Sequence, residues 1–180
     1  FAEKDFPLSP QPFAIHPALA KHLERLGHQL FVFQRACNQL YLQSTKGKQP
    51  SWVAAYLDAG KPAELIELSR SKQFREQLPA VIRPDLILTD DGYTIAEIDS
   101  VPGGIGLTAW LNETYVSLGD EVIGGAEGMI DGFRSILPDG GDIVVSDESE
   151  TYRPEMQWLA GKITGLEVHA AENYQPKSGR

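Results

Sequence analysis

Residues 83–112 read RPDLILTDDGYTIAEIDSVPGGIGLTAWLN and hold the strongest structural signals of the chain. An alternating apolar run follows the arginine, and a second run follows the residues Asp90, Asp91 and Gly92. A tight turn needs a positive φ, which glycine adopts without steric cost and aspartate tolerates. The pattern therefore predicts a β-hairpin.

The second strand of this hairpin ends in two acids, Glu97 and Asp99. The strand period of two places Tyr93, Ile95, Glu97 and Asp99 on one face. Two carboxylates so close repel each other unless they are solvated, protonated or bridged by a cation. Because Mg²⁺ prefers oxygen ligands, Glu97 and Asp99 are candidate metal ligands, with a solvated strand end as the alternative.

A glycine-rich loop, Ser100 to Gly106, follows the two acids directly. Gly103, Gly104 and Gly106 let the backbone approach a ligand and point N–H groups at an anion, next to the start of a predicted helix. The alternative is a plain strand-to-helix connection, since glycine also serves tight turns. Asn112 lies two helical turns further on and could face the ligand, cap the helix or pack.

Taken in this order, the residues resemble a known family. Arg-x-Asp-(apolar)-Asp-Gly-(apolar)-Glu-x-(Asn/Asp)-(Ser/Thr)-x-x-Gly resembles the substrate and metal segment of ATP-grasp carboxylate–amine ligases of the glutathione synthetase and glutathionylspermidine synthase type, including circularly permuted members. The resemblance covers roughly residues 81–174. It implies that Arg83 contacts an acidic substrate and that Glu97 and Asp99 bind Mg²⁺ beside the nucleotide, although asparagine is usual where Asp99 stands. The loop residues that the resemblance assigns to substrate and nucleotide are Ser100, Gly103, Gly104 and Gly106.

The resemblance also implies a reaction. In the complete enzyme, ATP activates a substrate carboxylate to an acyl phosphate, which an amine then attacks, and Mg²⁺ and ATP are required. Such a ligase needs lysines over the nucleotide, a glycine-rich lid and further acidic ligands, and the residues after Asp99 do not supply that set. We therefore expect either a fragment of a ligase or a relative without the nucleotide half.

Two other functions remain open at this point. One is a non-catalytic domain that binds small molecules and is related to the ligases. The other is a dinucleotide-dependent oxidoreductase, because the residues from Gly104 to Ala109 satisfy G-x-G-x-x-A. That fingerprint should follow a parallel strand, whereas the strand here belongs to a predicted hairpin.

Composition limits the partners. The net charge of −9 argues against nucleic acid and anionic membranes, which bind clustered Lys and Arg. No apolar run is long enough to span a bilayer, so we expect a cytoplasmic protein with a small-molecule acid and amine as substrates, as a monomer or an oligomer. The single cysteine, Cys37, is expected to pack in the core.

The rest of the chain completes an α/β fold. Apolar spacings of three and four predict a helix from Pro17 to Leu42 whose apolar stripe faces the core, and further short helices before residue 80. A helix is predicted from Asp120 to Leu137, and the last part reads as strand, helix and strand, a βαβ-type unit. The expected organisation is thus a helical N-terminal segment (1–80), a hairpin, loop and helices (81–137) and a βαβ-type unit with a tail (138–180).

Overall fold

The structure, a computed structural model, describes residues 5–175 and has the mixed α/β fold that the sequence predicts. Within these residues, no helix combines the length and the apolar character needed to cross a membrane. Short 3-10 helices lie at Asp147–Tyr152 and Ala171–Asn173. The main elements are α1 (Pro17–Ser44), α2 (Ser51–Asp58), α3 (Ala63–Arg70), β1 (Arg83–Thr89), β2 (Gly92–Asp99), α4 (Ile105–Ser117), α5 (Gly128–Ile136), β3 (Gly141–Val145), α6 (Arg153–Lys162) and β4 (Leu166–Ala170).

The contacts of the chain divide into two compact units. The first unit, Ile15–Val101, contains α1, α2, α3 and the hairpin of β1 and β2. The second unit consists of residues 5–14 and 102–175 and contains α4, α5, α6, β3 and β4. The boundary falls directly after the acidic end of the hairpin, so the hairpin belongs with the helices that precede it.

The second unit is built around the predicted βαβ arrangement. Strands β3 and β4 pair in parallel, and α6 connects them. Alternate residues of both strands point into an apolar core that α4, α5 and α6 complete. The buried core residues are Ala109, Ile130, Phe133, Ile143, Val145, Met156, Leu159, Ile163 and Leu166.

The hairpin turn has the predicted position. Thr89 pairs with Gly92, so Asp90 and Asp91 form the two-residue loop. Gly92 has a φ of 141°, and the part of the chain that the structure describes contains no positive φ at any other residue type. Glycine alone therefore supplies the backbone freedom that this turn needs, and neither aspartate takes a positive φ.

Helix α1 has the predicted start, and its burial differs from the prediction. It begins at Pro17, and the predicted stripe is buried at Leu26 and Leu30. Further along, Phe33 and Cys37 are exposed, so the prediction that Cys37 packs in the core is wrong.

The physical reason is that an adjacent face of α1 makes polar contacts. In the second half of the helix, Asn38 donates from Nδ2 to the carbonyl of Arg75 at 2.8 Å. One turn later, the Tyr41 hydroxyl donates to Oδ1 of Asp58 at 2.7 Å. These hydrogen bonds orient the helix face that carries Asn38 and Tyr41 towards other parts of the first unit. Cys37, one residue before Asn38, therefore faces outward.

Helix α5 is shorter than predicted. The sequence predicts a helix from Asp120 to Leu137, but the observed helix is Gly128–Ile136. Gly124 and Gly125 have φ values of 82° and 66°, which lie outside the right-handed helical region. The glycines of this segment therefore shape a turn that ends before the helix starts.

Candidate functional site

The predicted metal ligands lie at the open end of the antiparallel hairpin, away from the turn. Arg83 pairs with Asp99 across the strands, and Asp85 pairs with Glu97. Cross-strand partners share a face, as do residues two apart on one strand. Arg83, Asp85, Glu97 and Asp99 therefore occupy one face, which confirms the prediction that the two candidate metal ligands share a face.

A β-bulge at Ala96 separates these acids from the apolar part of the strand. Asp85 pairs with Glu97 and Leu86 pairs with Ile95, which leaves Ala96 as the extra residue. Because Asp85 and Leu86 point to opposite faces, Glu97 and Ile95 do so too. The prediction that the acids share a face with the apolar residues of β2 is therefore wrong, because the bulge reverses the alternation.

Asp99 is held by its own loop and by Arg83. Its Oδ1 accepts the backbone N–H of Ser100 at 2.5 Å and that of Val101 at 2.9 Å, and its Oδ2 lies 3.3 Å from Nη1 of Arg83. The N–H of Val101, with that of Ser100 and the Arg83 guanidinium, holds the pKa of Asp99 below its ordinary value of 3.8. Asp99 is therefore ionised at neutral pH.

Arg83 braces the start of the loop. Besides Asp99, its Nη1 contacts the carbonyl of Val101 at 3.1 Å, so one guanidinium spans both ends of residues 99–101. The Arg83 side chain is one-third exposed, which leaves it within reach of a ligand. Glu97, the other predicted metal ligand, is exposed on the same face.

The three glycines of the loop have different surroundings. Gly104 is the N-cap of α4 and has a φ of 86°, a left-handed conformation that favours glycine. A Cβ on Gly103 would lie 2.7 Å from the ring of Tyr152, and a Cβ on Gly106 would lie 2.3 Å from the carbonyl oxygen of Glu155. Gly103 and Gly106 therefore permit close packing within the second unit.

A buried carboxyl group of the chain accepts hydrogen bonds from the amides at the start of α4. Glu155, on α6, is only 1% exposed, and its Oε1 accepts the N–H of Gly104 at 2.9 Å. Its Oε2 accepts the N–H of Leu107 at 2.8 Å. The N–H groups that the sequence offers to a ligand at this helix N-terminus thus donate to a side chain of the chain itself.

Sequence reasoning missed Glu155, although a signal was present. Glu155, Leu159 and Ile163 are spaced by four, so a helix places Glu155 on the buried stripe of α6. An acid on a buried helical stripe requires hydrogen-bond partners, because an unpaired buried charge is costly. The spacing could have flagged the residue, but only the fold identifies the amides of Gly104 and Leu107 as its partners.

The predicted site residues fall into both units. Arg83, Glu97, Asp99 and Ser100 belong to the first unit, and the hairpin register brings the first three to one face. The predicted residues of the second unit are Gly103, Gly104, Gly106 and the half-buried Asn112 of α4.

Comparison with known proteins adds no relative. No protein-family model, no curated protein and no solved structure matches this chain. The resemblance to the ATP-grasp ligases therefore rests on the motif that begins at Arg83.

Proposed function

We propose that the chain is the substrate- and Mg²⁺-binding portion of an ATP-dependent carboxylate–amine ligase. The observation that carries the proposal is that four charged residues share one face at the open end of the hairpin: Arg83, Asp85, Glu97 and Asp99. This face combines a guanidinium, whose N–H fork matches a carboxylate, with oxygen ligands of the kind that Mg²⁺ prefers. The motif resemblance gives the same roles to Arg83, Glu97 and Asp99.

The carboxylates of this face are ligands of the type that Mg²⁺ prefers. Asp85 and Glu97 are exposed and stand directly opposite each other, and like charges in that position destabilise a strand pair. A divalent cation would offset this repulsion, and proteins commonly hold Mg²⁺ through one or two carboxylates with waters and substrate phosphates. When bound, Mg²⁺ supplies charge neutralisation for the nucleotide phosphates.

The proposed reaction has two steps. A substrate carboxylate oxygen attacks the γ-phosphorus of ATP, which gives an acyl phosphate and ADP. An amine then attacks the acyl carbon, loses a proton and expels phosphate, which leaves an amide. In this scheme Arg83 binds the acidic substrate, and the ionised Asp99 orients Arg83 through their ion pair.

The proposal includes the setting of the reaction. The substrates are a small-molecule acid and a small-molecule amine, and a cytoplasmic location gives access to ATP. The lysines and the glycine-rich lid that cover ATP would belong to the rest of such an enzyme. The net charge of −9 fits small-molecule substrates better than nucleic acid, since an anionic polymer needs a cluster of Lys and Arg.

A second candidate function is a non-catalytic domain that binds a small acid. The observation that favours it is the Glu155 carboxylate, which already holds the amides of Gly104 and Leu107. These amides would otherwise be the natural donors for a phosphate at the start of α4. In this alternative Arg83 still binds a carboxylate, and ATP has no role.

Titration calorimetry with MgCl₂ and with Mg-ATP tests the metal part of the ligase proposal. We expect Glu97→Gln to weaken Mg²⁺ binding at least about tenfold, because a neutral amide is a poorer ligand than a carboxylate. Asp90→Asn, an exposed change in the turn at the other end of the hairpin, is the matched control and should bind as the wild type does. Equal binding by the Glu97 variant would overturn the magnesium site.

Titration with L-glutamate, as a probe with two carboxylates, tests the acid-binding role of Arg83. We expect Arg83→Lys to weaken its binding about tenfold, since a lysine cannot form the bidentate pair. Glutamate binding that depends on Arg83, together with no binding of Mg-ATP to the wild type, would favour the second candidate. Unchanged glutamate binding in the variant would exclude Arg83 as the substrate contact.

A further inference from the structure

A second group of polar side chains lies on the outer face of the parallel pair β3 and β4. Asp142 pairs directly with Glu167, and His169 lies two residues further along β4 on the same face. The opposite face of these strands carries Ile143 and Leu166, which are buried in the core. The sheet therefore fixes the backbone positions of all three polar residues from behind.

The side chains of this group converge. Nε2 of His169 lies 2.9 Å from Oδ1 of Asp142 and 3.5 Å from Oε2 of Glu167. One ligand atom from each of the three residues lies within 4.8 Å of the other two. Among the described residues, no other group of three or more His, Cys, Asp or Glu side chains meets this condition. Atoms about 2.1 Å from one tetrahedral ion are separated by about 3.4 Å, so small side-chain adjustments suffice.

Tyr174 supports the group from the side. Its hydroxyl donates to Oδ2 of Asp142 at 3.1 Å, and its ring packs against the His169 ring with centroids 5.4 Å apart. The Asp142 side chain is 10% exposed, so its orientation is fixed by neighbours, as metal-binding carboxylates usually are.

The charges of the group are compatible with a bound cation. Asp142 and Glu167 are acids in directly opposed positions of neighbouring strands, where like charges destabilise the pair. His169 lies between their carboxylates and can bind a cation through the nitrogen that now contacts Asp142. A metal ion in this position would contact both carboxylates and the imidazole together.

We propose that Asp142, Glu167 and His169 bind a divalent transition-metal ion of the Zn²⁺ type, with Tyr174 orienting Asp142 by its hydrogen bond. One imidazole with two carboxylates favours such ions over Mg²⁺ and Ca²⁺, which take oxygen ligands. Three protein ligands leave a coordination position for water or for an anionic ligand. The site lies in the second unit, shares no residue with the acidic face of the hairpin, and does not depend on the ligase proposal.

Titration of the chelator-treated full chain with ZnCl₂ tests this site, and CoCl₂ provides a visible absorption signature of the coordination. We expect one ion per chain, with binding weakened at least about tenfold in His169→Gln and to a smaller extent in Tyr174→Phe. The matched control is His28→Gln, which removes an exposed imidazole of α1 and should leave binding unchanged. Zn²⁺ binding should also persist in Glu97→Gln, which separates this test from that of the magnesium site.

Two results would overturn the proposal. One is the absence of Zn²⁺ and Co²⁺ binding by the wild-type chain, and the other is equal binding by the His169 variant. Circular dichroism of the metal-free variants shows whether they are folded. If His169→Gln does not fold, Glu167→Gln takes its place, because that side chain is 58% exposed and contributes little to packing.

Discussion

Gly106 shows how one residue of the loop serves the fold. The sequence marks it as part of a segment that approaches a ligand, and the structure shows that α6 approaches it instead. Only a residue without a side chain allows the backbone of Glu155 so close to α4, and Glu155 in turn holds the amides of Gly104 and Leu107. The glycine and the buried acid are therefore parts of one contact.

Gly106→Ala should destabilise the protein strongly. The new Cβ would lie 2.3 Å from a backbone oxygen of Glu155, which cannot rotate away as a flexible side chain would. We expect a loss of roughly 3 kcal/mol in the free energy of unfolding, measured by urea denaturation. Gly161→Ala in α6 is the matched control: no atom lies within 4 Å of its added Cβ, and helix propensity should stabilise it by up to about 1 kcal/mol. Equal effects of the two changes would contradict the packing role of Gly106.

The long helix α1 shows what an element's sequence can and cannot predict. Its start at Pro17 and its length follow from the periodic apolar residues, because these depend only on local spacing. The face that is buried in the second half of the helix cannot be predicted from this spacing, since the Asn38 side chain contacts the backbone of Arg75, 37 residues away in sequence. Such partners depend on the path of the loops.

The hairpin gives the same lesson for a strand. The turn at Gly92 was predictable because its residue types are local signals. The bulge at Ala96 is only indicated by the sequence, since the apolar positions change phase between Ile95 and Ile98, and pairing with β1 is needed to identify the extra residue. For the candidate site, the order of the acids and glycines could be read from the sequence, whereas the position of Glu155 beside the loop depends on packing between helices.

Ser44→Ala should destabilise the contact between α1 and the start of α2. The Ser44 side chain is buried, and its hydroxyl donates to the carbonyl of Pro50 at 2.7 Å and accepts the N–H of Ala54 at 3.1 Å. Without it, two backbone groups lose their partner in a buried place, so we expect a loss of about 1–3 kcal/mol by urea denaturation. Gln39→Ala, an exposed change on the same helix, should alter the stability by less than about 0.5 kcal/mol. A loss for Ser44 no larger than that of the control would contradict this role.

At the scale of the whole molecule, each unit has its own small sheet. The antiparallel pair β1–β2 lies in the first unit and the parallel pair β3–β4 in the second. The two proposed ion sites follow this division, with all-oxygen ligands on the hairpin and an imidazole with two carboxylates on the parallel pair. Each site takes its geometry from the register of a single pair of strands, so each should respond to the stability of its own unit.

Leu159→Ala tests whether the two units differ in stability. Leu159 is completely buried in the core of the second unit, and its truncation should cost about 2–5 kcal/mol. We expect hydrogen–deuterium exchange to accelerate at the amides of β3 and β4, with much smaller changes in β1 and β2, because the contacts of the hairpin belong to the other unit. Leu118→Ala, at a side chain that is 68% exposed, is the control and should leave both sheets as protected as in the wild type. Equal acceleration in the two sheets would mean that the units unfold together, and the two proposed ion sites would then be lost in a single transition.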